Sequence, residues 1–416
     1  MRPAVRRWKP GAGVLRPRPG SLTPEGARLG LPALPGDIAL FLDSELVDAE
    51  GGERFAQEGF LLSVGKDGAT VSAPTPRGLR YGARTLLQHL DRHGELPVGE
   101  GADWPGYEVR GFMLDVGRRF FTPGFVRDLI VRMGELKLNE LQLHLNDNGF
   151  RKDKTGPWDG VQAGFRLVSE RFPGLASSDG AYTRAEWDSF EDLAAEHGVT
   201  LIPEIDGPAH CLAFTRYRPE LGTGDHLDLS RPETTAFMKE VFDEFVPWFR
   251  GPEMHFGADE YLSSPELFRE YFNAMAAHVR SLGKHPRAWG SFTRMTGDAE
   301  GYDRDVTINT WSTAWYDPLS AVRDGYRFVN TDDCLLYIVP FADYYHPTGL
   351  DADFLEREWE PHVFAEGMTV EPKHPLLRGA MSAVWNDLTE ADYTEQDVWR
   401  LVEPTFDILA GKMWNA

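Results

Sequence analysis

From Arg110 onward, short apolar runs alternate with helix-forming stretches, and this alternation leaves few architectures open to the chain. GFMLDV (111–116), ELQLHL (140–145), TLIPEI (200–205) and EMHFGA (253–258) read as strands, as do PRAWG (286–290), VTINTW (306–311), RFVNT (327–331) and GAMSAVW (379–385). Between them the signals are helical. Thr122 stands as an N-cap with Pro123 in the first turn, and Val126, Leu129, Ile130 and Met133 form one apolar stripe. TRAE (183–186) is a capping box opening a helix that runs to Gly198. Helices are also expected over 234–249 and around 394–410, whereas the fifth and sixth are weakly marked. Strand-then-helix alternation repeated this often predicts an α/β fold, a (β/α)8 TIM barrel over residues 104–416, rather than an open sheet.

Residues 1–103 have a different grain. DIALFLD (37–43), FLLSV (60–64) and ATVSA (69–73) are short strand-like runs, with GKDG (65–68) as a hairpin turn. RGLRYGARTLLQHL (77–90) is helix-like, so a small α+β domain is expected to precede the barrel. GELPVGEGADWPG (94–106), rich in Gly and Pro, reads as a linker.

Composition mainly removes alternatives. A formal charge of -22 repels nucleic acid and anionic membranes. Two cysteines, Cys211 and Cys334, are too few for a disulfide framework or a cysteine zinc site. The basic start MRPAVRRWKPGAGVLRPRPG lacks the apolar core of a signal peptide, and no stretch reaches bilayer-spanning length. The expectation is a cytoplasmic protein with no membrane or nucleic-acid partner; the sequence leaves oligomeric state open.

In such a barrel the reacting groups gather where strands end. The early ends carry carboxylates: Asp115 with Arg118, Asp147 after His144, Glu204 and Asp206 with His210, then Asp259 and Glu260. Aromatics dominate the later ends, with Trp289, Trp311, Tyr337, and Trp385 followed by Asp387. Aromatic faces pack against the C–H surfaces of a sugar, while carboxylates and Arg hydrogen-bond its hydroxyls. Each residue also has a plainer reading. A lone Asp after a strand is commonly a helix N-cap, a lone Trp is commonly core, and His144 reads as structural. Metal binding through His144, Asp147, Asp206, His210 and His255 is conceivable, but no HExxH spacing supports it, so neither metal nor other cofactor is expected.

Three stretches give these ends a family likeness. RGFMLDVGRRFFTPGFVRDLIVRMGELKLNELQLHLND, LIPEIDGPAHCLAF and MHFGADE resemble, in order, the strand-end motifs of glycoside hydrolase family 20, the β-N-acetylhexosaminidases. The resemblance covers essentially the whole chain, GLRYGARTLLQ resembling the small domain that precedes the family's barrel. It implies an exo-acting retaining hydrolase without an enzyme nucleophile, because the substrate's own 2-acetamido carbonyl attacks the anomeric carbon. It further implies Glu260 as general acid/base and Asp259 as the group holding the acetamido N–H. Arg118 falls on an arginine binding sugar hydroxyls, and Asp147 with His210 on a pair supporting the glutamate. Trp289, Trp311 and Trp385 fall on the walls of the acetamido pocket, and Tyr337 on a tyrosine donating to the acetamido oxygen. Because Asp259 and Glu260 are neighbours, ionising both is costly, and Glu260 is expected to stay protonated near neutral pH.

The chain also departs from the pattern. Tyr-x-Asp becomes Tyr337, Ile338, Val339, and Trp-x-Glu becomes Trp385, Asn386, Asp387, one methylene shorter. Asp-Asp-Gln becomes Asp147, Asn148, Gly149, and Gly-Gly-Asp-Glu becomes Gly257, Ala258, Asp259, Glu260. These changes touch the distal hydroxyl contacts. They leave two other readings: a related hydrolase for galacto-configured, modified or disaccharide substrates, or a non-catalytic N-acetylhexosamine-binding protein.

Overall fold

The computed structural model describes residues 5–18, 36–151 and 156–416. The leader reading of residues 1–20 falls partly outside this range. Five strands form the first sheet: β1 (Arg7–Leu15), β2 (Ile38–Leu42), β3 (Phe60–Val64), β4 (Ala69–Ala73) and β5 (Leu96–Asp103), in the order β1-β5-β3-β4-β2. Helix α1 (Pro76–His93) packs against it, capped by the Thr75 side chain and ended by Gly94 at φ 72°.

The expected linker is therefore a strand. β5 pairs on both edges, with β1 and β3. Its glycines are there for space: a Cβ at Gly99 or Gly101 would stand 2.7 Å from the Trp8 indole of β1. Composition alone reads as loop because the packing partner lies far away in sequence.

Eight parallel strands then close on themselves: β6 (Val109–Asp115), β7 (Glu140–His144), β8 (Thr200–Gly207), β9 (Glu253–Gly257), β10 (His285–Trp289), β11 (Thr307–Thr310), β12 (Phe328–Asn330) and β13 (Leu377–Val384). Helices α2 (Pro123–Glu135), α3 (Arg184–His197), α4 (Pro232–Phe245) and α5 (Pro265–Ser281) follow the first four. Thr122 caps α2, and the Thr183–Glu186 capping box opens α3, which ends at Gly198 with φ 71°. The later helices α6 (Phe292–Thr296) and α7 (Pro318–Asp324) are short, in line with their weak sequence signal. α8 (Glu395–Asn415) closes the chain.

Alternation along the strands builds a polar column up the barrel axis. In β7, Leu141 and Leu143 join the large apolar core, while Glu140, Gln142 and His144 belong to the alternate set. At the base Arg287 donates to Glu140 at 2.6 Å and to Glu253 at 2.9 Å, and Arg378 reaches Glu253 at 2.6 Å. Burial alone would raise Glu253, but the two guanidinium groups outweigh it and hold that carboxyl at about 2. One level up, Asn309 donates to Gln142, and Gln142 to Glu204 at 2.8 Å. Removing one partner of a buried ion pair leaves an uncompensated charge. Arg287→Met is expected to cost about 3 kcal/mol, read from the denaturant midpoint at pH 7; an unchanged midpoint would show that the base does not depend on this charge.

The two units share a buried seam. Arg110 Nη1 donates to Glu58 at 2.8 Å, and its guanidinium lies over the Trp414 ring of α8. Trp414 Nε1 in turn donates to Asp103 at 3.0 Å. The first sheet thus braces the base of the barrel and leaves the opposite mouth free.

Candidate active site

β9 leaves the sheet through backbone that ordinary strands do not use. Gly257, Ala258 and Glu260 have φ of 69°, 70° and 44°. Neighbouring side chains in a strand point to opposite faces, but this left-handed exit turns Asp259 and Glu260 into one cavity. At Gly257 only glycine fits, since a Cβ would lie 1.5 Å from Asp206 Oδ1. Ala258 and Glu260 hold left-handed conformations at a cost of about 1–2 kcal/mol each. Two bonds pin the exit: the Ala258 N–H donates to Asp206 Oδ1 at 3.2 Å and to the Gly207 carbonyl at 3.1 Å.

The cavity measures about 600 Å³ and opens at the carboxyl ends of the strands. Its acidic side carries Asp147, His210, Asp259 and Glu260, and Arg118 Nη1 bridges that side to Asp387, 2.8 Å from Asp147 Oδ2 and 3.4 Å from Asp387 Oδ1. Trp289, Trp311, Tyr337 and Trp385 supply the aromatic lining, and the Trp385 ring lies 5.7 Å from those of Trp289 and Tyr337. Every residue given a catalytic or substrate-binding role from sequence therefore faces one space, whereas Asp115, Glu204 and His255 do not line it. His144, Phe150, Asp206, Tyr344 and Tyr345 line it as well. For His144 a signal existed in the inward period of ELQLHL. Tyr344 and Tyr345 lie in an aperiodic loop and had none.

A chain of polar contacts runs beneath the carboxylates. Trp289 Nε1 donates to Glu204 at 2.6 Å, and His144 Nδ1 is 3.0 Å from Glu204 Oε2. His144 Nε2 lies 2.8 Å from Asp147 Oδ2, and Asp147 Oδ1 lies 3.0 Å from His210 Nδ1. His210 Nε2 then stands between the pair, 3.7 Å from Asp259 Oδ1 and 3.4 Å from Glu260 Oε2. The structural reading of His144 is thus too narrow: through Glu204 and Asp147 it joins the Trp289 wall to the carboxylate pair. His255 is a different case. Burial first, then Arg287 and His144, bring it down to about 3, and its Nδ1 accepts from the Gly257 N–H at 3.1 Å.

Protonation differs from the expectation. Burial would lower His210, but Asp147 and Asp259 outweigh it and hold the imidazolium well above its ordinary range. Burial would likewise raise Glu260, yet the His210 hydrogen bond and charge hold it below the usual carboxylate value. Its side chain is 44% exposed, so water also solvates the charge. It is Asp259 that rises, to about 6, through burial first, with Glu260 and Glu204 adding and His210 opposing. Repulsion between neighbours is real, but the imidazolium decides which neighbour stays ionised. Asp259 Oδ1 is buried and has no hydrogen-bond partner among the described residues.

Among the described residues, three groups of donors approach within 4.8 Å: His144 with Glu204 and Asp206; Asp206 with His210 and Asp259; and Asp332 with Asp333 and Cys334. In the first, both His144 nitrogens and both Glu204 oxygens already serve the chain of contacts. In the second, Asp206 Oδ2 and Asp259 Oδ1 have no hydrogen-bond partner among the described residues, but His210 gives Nδ1 to Asp147 and, held as an imidazolium, has no lone pair on Nε2 to offer. In the third, Asp332 accepts from the Cys334 and Ala365 N–H groups. A cation in the first group would have to break the link between Trp289 and Asp147.

Comparison with known proteins agrees with this geometry. The family model described as Glycosyl hydrolase family 20, catalytic domain, matches residues 107–265, and that described as Glycosyl hydrolase family 20, domain 2, matches residues 21–104. A lacto-N-biosidase of Bifidobacterium bifidum is 26% identical over 414 residues, covering 91% of this chain and 34% of that protein. A β-hexosaminidase of Vibrio furnissii is 25% identical over 408 residues, covering 85% of this chain and 64% of its own length. The chain thus spans a third of the first relative and under two-thirds of the second. A solved family 20 β-N-acetylhexosaminidase from Streptomyces coelicolor A3(2) superposes with a TM-score of 0.80 at 21% identity, covering 99% of this chain and 90% of that one. At that identity the likeness speaks for the fold.

Proposed function

The chain belongs to glycosyl hydrolase family 20, and on that premise we propose that it is an exo-acting, retaining β-N-acetylhexosaminidase whose nucleophile is the substrate's own 2-acetamido group. The observation carrying this reading is the convergence of Asp259 and Glu260 on one cavity walled by Trp289, Trp311 and Trp385, with the Asp259 side chain 12% and the Glu260 side chain 44% exposed. An amide N–H seated among Trp289, Trp311 and Trp385 donates to the part of the Asp259 carboxylate that faces the cavity. Its carbonyl oxygen then points at the anomeric carbon. Burial raises the Tyr337 phenol, so it keeps its proton and can donate to that carbonyl in the bound state.

The reaction follows from these positions. The carbonyl oxygen attacks C1 as the glycosidic C–O bond breaks, and Glu260 delivers a proton to the departing oxygen. A group held in place reacts at an effective concentration no free nucleophile reaches, so an enzyme nucleophile is dispensable. The product is a cyclic oxazolinium ion, whose positive charge faces Asp259. Water then adds to C1 from the side the aglycone left as the C1–O bond to the acetamido oxygen breaks and restores the amide; the water gives its proton to Glu260, and the configuration is retained. In the open site the proton resides on His210, 3.4 Å from Glu260. A seated aglycone strips water from Glu260 and raises its pKa, so the proton is available where the bond breaks.

Hydrolysis of an aryl N-acetyl-β-glucosaminide, followed by proton NMR, tests the reading. The β-anomer is expected first, a thiazoline analogue of the cyclic intermediate should inhibit, and the 2-hydroxy glucoside should not turn over. Comparable turnover of that glucoside would overturn the mechanism. Binding of N-acetylglucosamine without turnover over long incubation would instead favour a binding protein.

Asp147 tunes the proton carrier and gives a second check. Asp147→Asn removes the carboxylate that most raises His210. The basic limb of kcat/KM is expected to move down by about 1–2 pH units; a limb that stays in place would exclude His210 as the titrating group.

A further inference from the structure

The hydrogen-bonded pair Tyr344–Asp387 stands where a sugar's far end must lie. In a closed ring of eight strands, the fourth and the eighth face each other across the mouth, and Glu260 follows β9 whereas Asp387 follows β13. With C1 at Glu260, carbons 4 and 6 of a pyranose point toward Asp387. The loop between Pro340 and Gly349 crosses this end and brings Tyr344 and Tyr345 into the cavity wall. It is held closely: Tyr345 donates to Asp333 at 3.1 Å, His346 Nε2 lies 2.9 Å from the Cys334 carbonyl, and Phe341 packs on Tyr393. Phe341 and Tyr345 adopt left-handed backbone, with φ of 64° and 52°, and such conformations persist where surroundings over-determine them.

The Tyr344 hydroxyl donates to Asp387 Oδ2 at 2.9 Å, and Asp387 Oδ1 lies 3.4 Å from Arg118 Nη1. The carboxylate is therefore tied on both sides. A phenol that spends its proton on a carboxylate keeps its lone pairs as acceptors, and Tyr344 is 37% exposed. We propose that Tyr344 and Asp387 work as one composite acceptor for a hydroxyl at C4 or C6, which closes the pocket around an unsubstituted terminal N-acetylhexosamine. The inference rests on the hydrolase reading for its substrate class. It adds a specificity-determining residue, Tyr344, and favours release of a single sugar over release of a disaccharide.

The test uses the aryl N-acetyl-β-glucosaminide with its 4-deoxy and 6-deoxy forms, and calorimetric binding of the corresponding free sugars. Tyr344→Phe is expected to raise KM on the parent about tenfold, the effect of one hydrogen bond of about 1.4 kcal/mol, with kcat within about threefold. The deoxy form lacking the hydroxyl read by the pair should show no such change. Asp387→Glu alone should weaken binding, because its added methylene drives the carboxylate into the Tyr344 hydroxyl. Combined with Tyr344→Phe, it should recover much of the loss. Equal losses on the parent and both deoxy forms, or no loss on any, would overturn the proposal. If the wild type turns over nothing but the binding pattern holds, the composite acceptor stands and the hydrolase reading fails.

Discussion

Glu260→Gln is expected to lower kcat on an aryl N-acetyl-β-glucosaminide by about 100- to 10,000-fold, the range a positioned acid/base supplies. The substitution keeps shape and a hydrogen-bond acceptor for His210, 3.4 Å away, but cannot give up a proton to the leaving oxygen or take one from water. Leaving-group dependence sharpens the expectation. A nitrophenolate departs with little help, so its first step should suffer least, and an alkyl aglycone should sit at the large end. KM should stay level or fall, because the acetamido pocket and Arg118 are untouched. Activity within about tenfold of wild type on an alkyl glycoside would remove Glu260 from the mechanism.

For Asp259→Asn the expected loss is about 100- to 1,000-fold in kcat, the scale of one preorganised electrostatic partner. Asparagine can still accept from an amide N–H, but it offers no charge to the oxazolinium ion. The pH profile identifies the group. Asp259 is held at about 6 by its burial first, against 3.8 for an ordinary aspartate. Because the reaction needs the carboxylate, kcat/KM should fall as pH drops below about 6, and Asp259→Asn should abolish that limb. Stability runs the other way. A raised carboxyl favours the folded state while protonated, so its contribution is full below 3.8 and gone once pH passes about 6. The variant, with nothing to ionise, should lack that decline. A variant that keeps the acid limb would assign it to another group.

The differences between sequence and structure have physical causes at particular residues. Pro97, Gly99 and Gly101 carry turn composition, yet they lie in a paired strand, where Trp8 fills the space that side chains at Gly99 and Gly101 would occupy. The barrel strands were legible because Leu141, Leu143 and their counterparts pack outward against helices, which imposes a local period. Their inward partners Glu140, Gln142 and His144 belong to a polar column whose other members lie in distant strands, so nothing local announced it. The protonation order at Asp259 and Glu260 departs from the sequence expectation for the same reason. Adjacency is visible in a sequence; an imidazolium folded between two neighbours is not.

By itself, the order of residues determined the eight barrel strands and the well-capped helices, and that Asp259 and Glu260 sit at a strand end. Those outcomes depend on propensity, capping and period, all written within a few residues. Which carboxylate carries charge, which oxygen is left without a partner, and which loop tyrosine meets Asp387 were decided only by the closed barrel. Ring closure brings β9 and β13 to opposite sides of one cavity, and electrostatics in a buried site follows distance in space rather than along the chain.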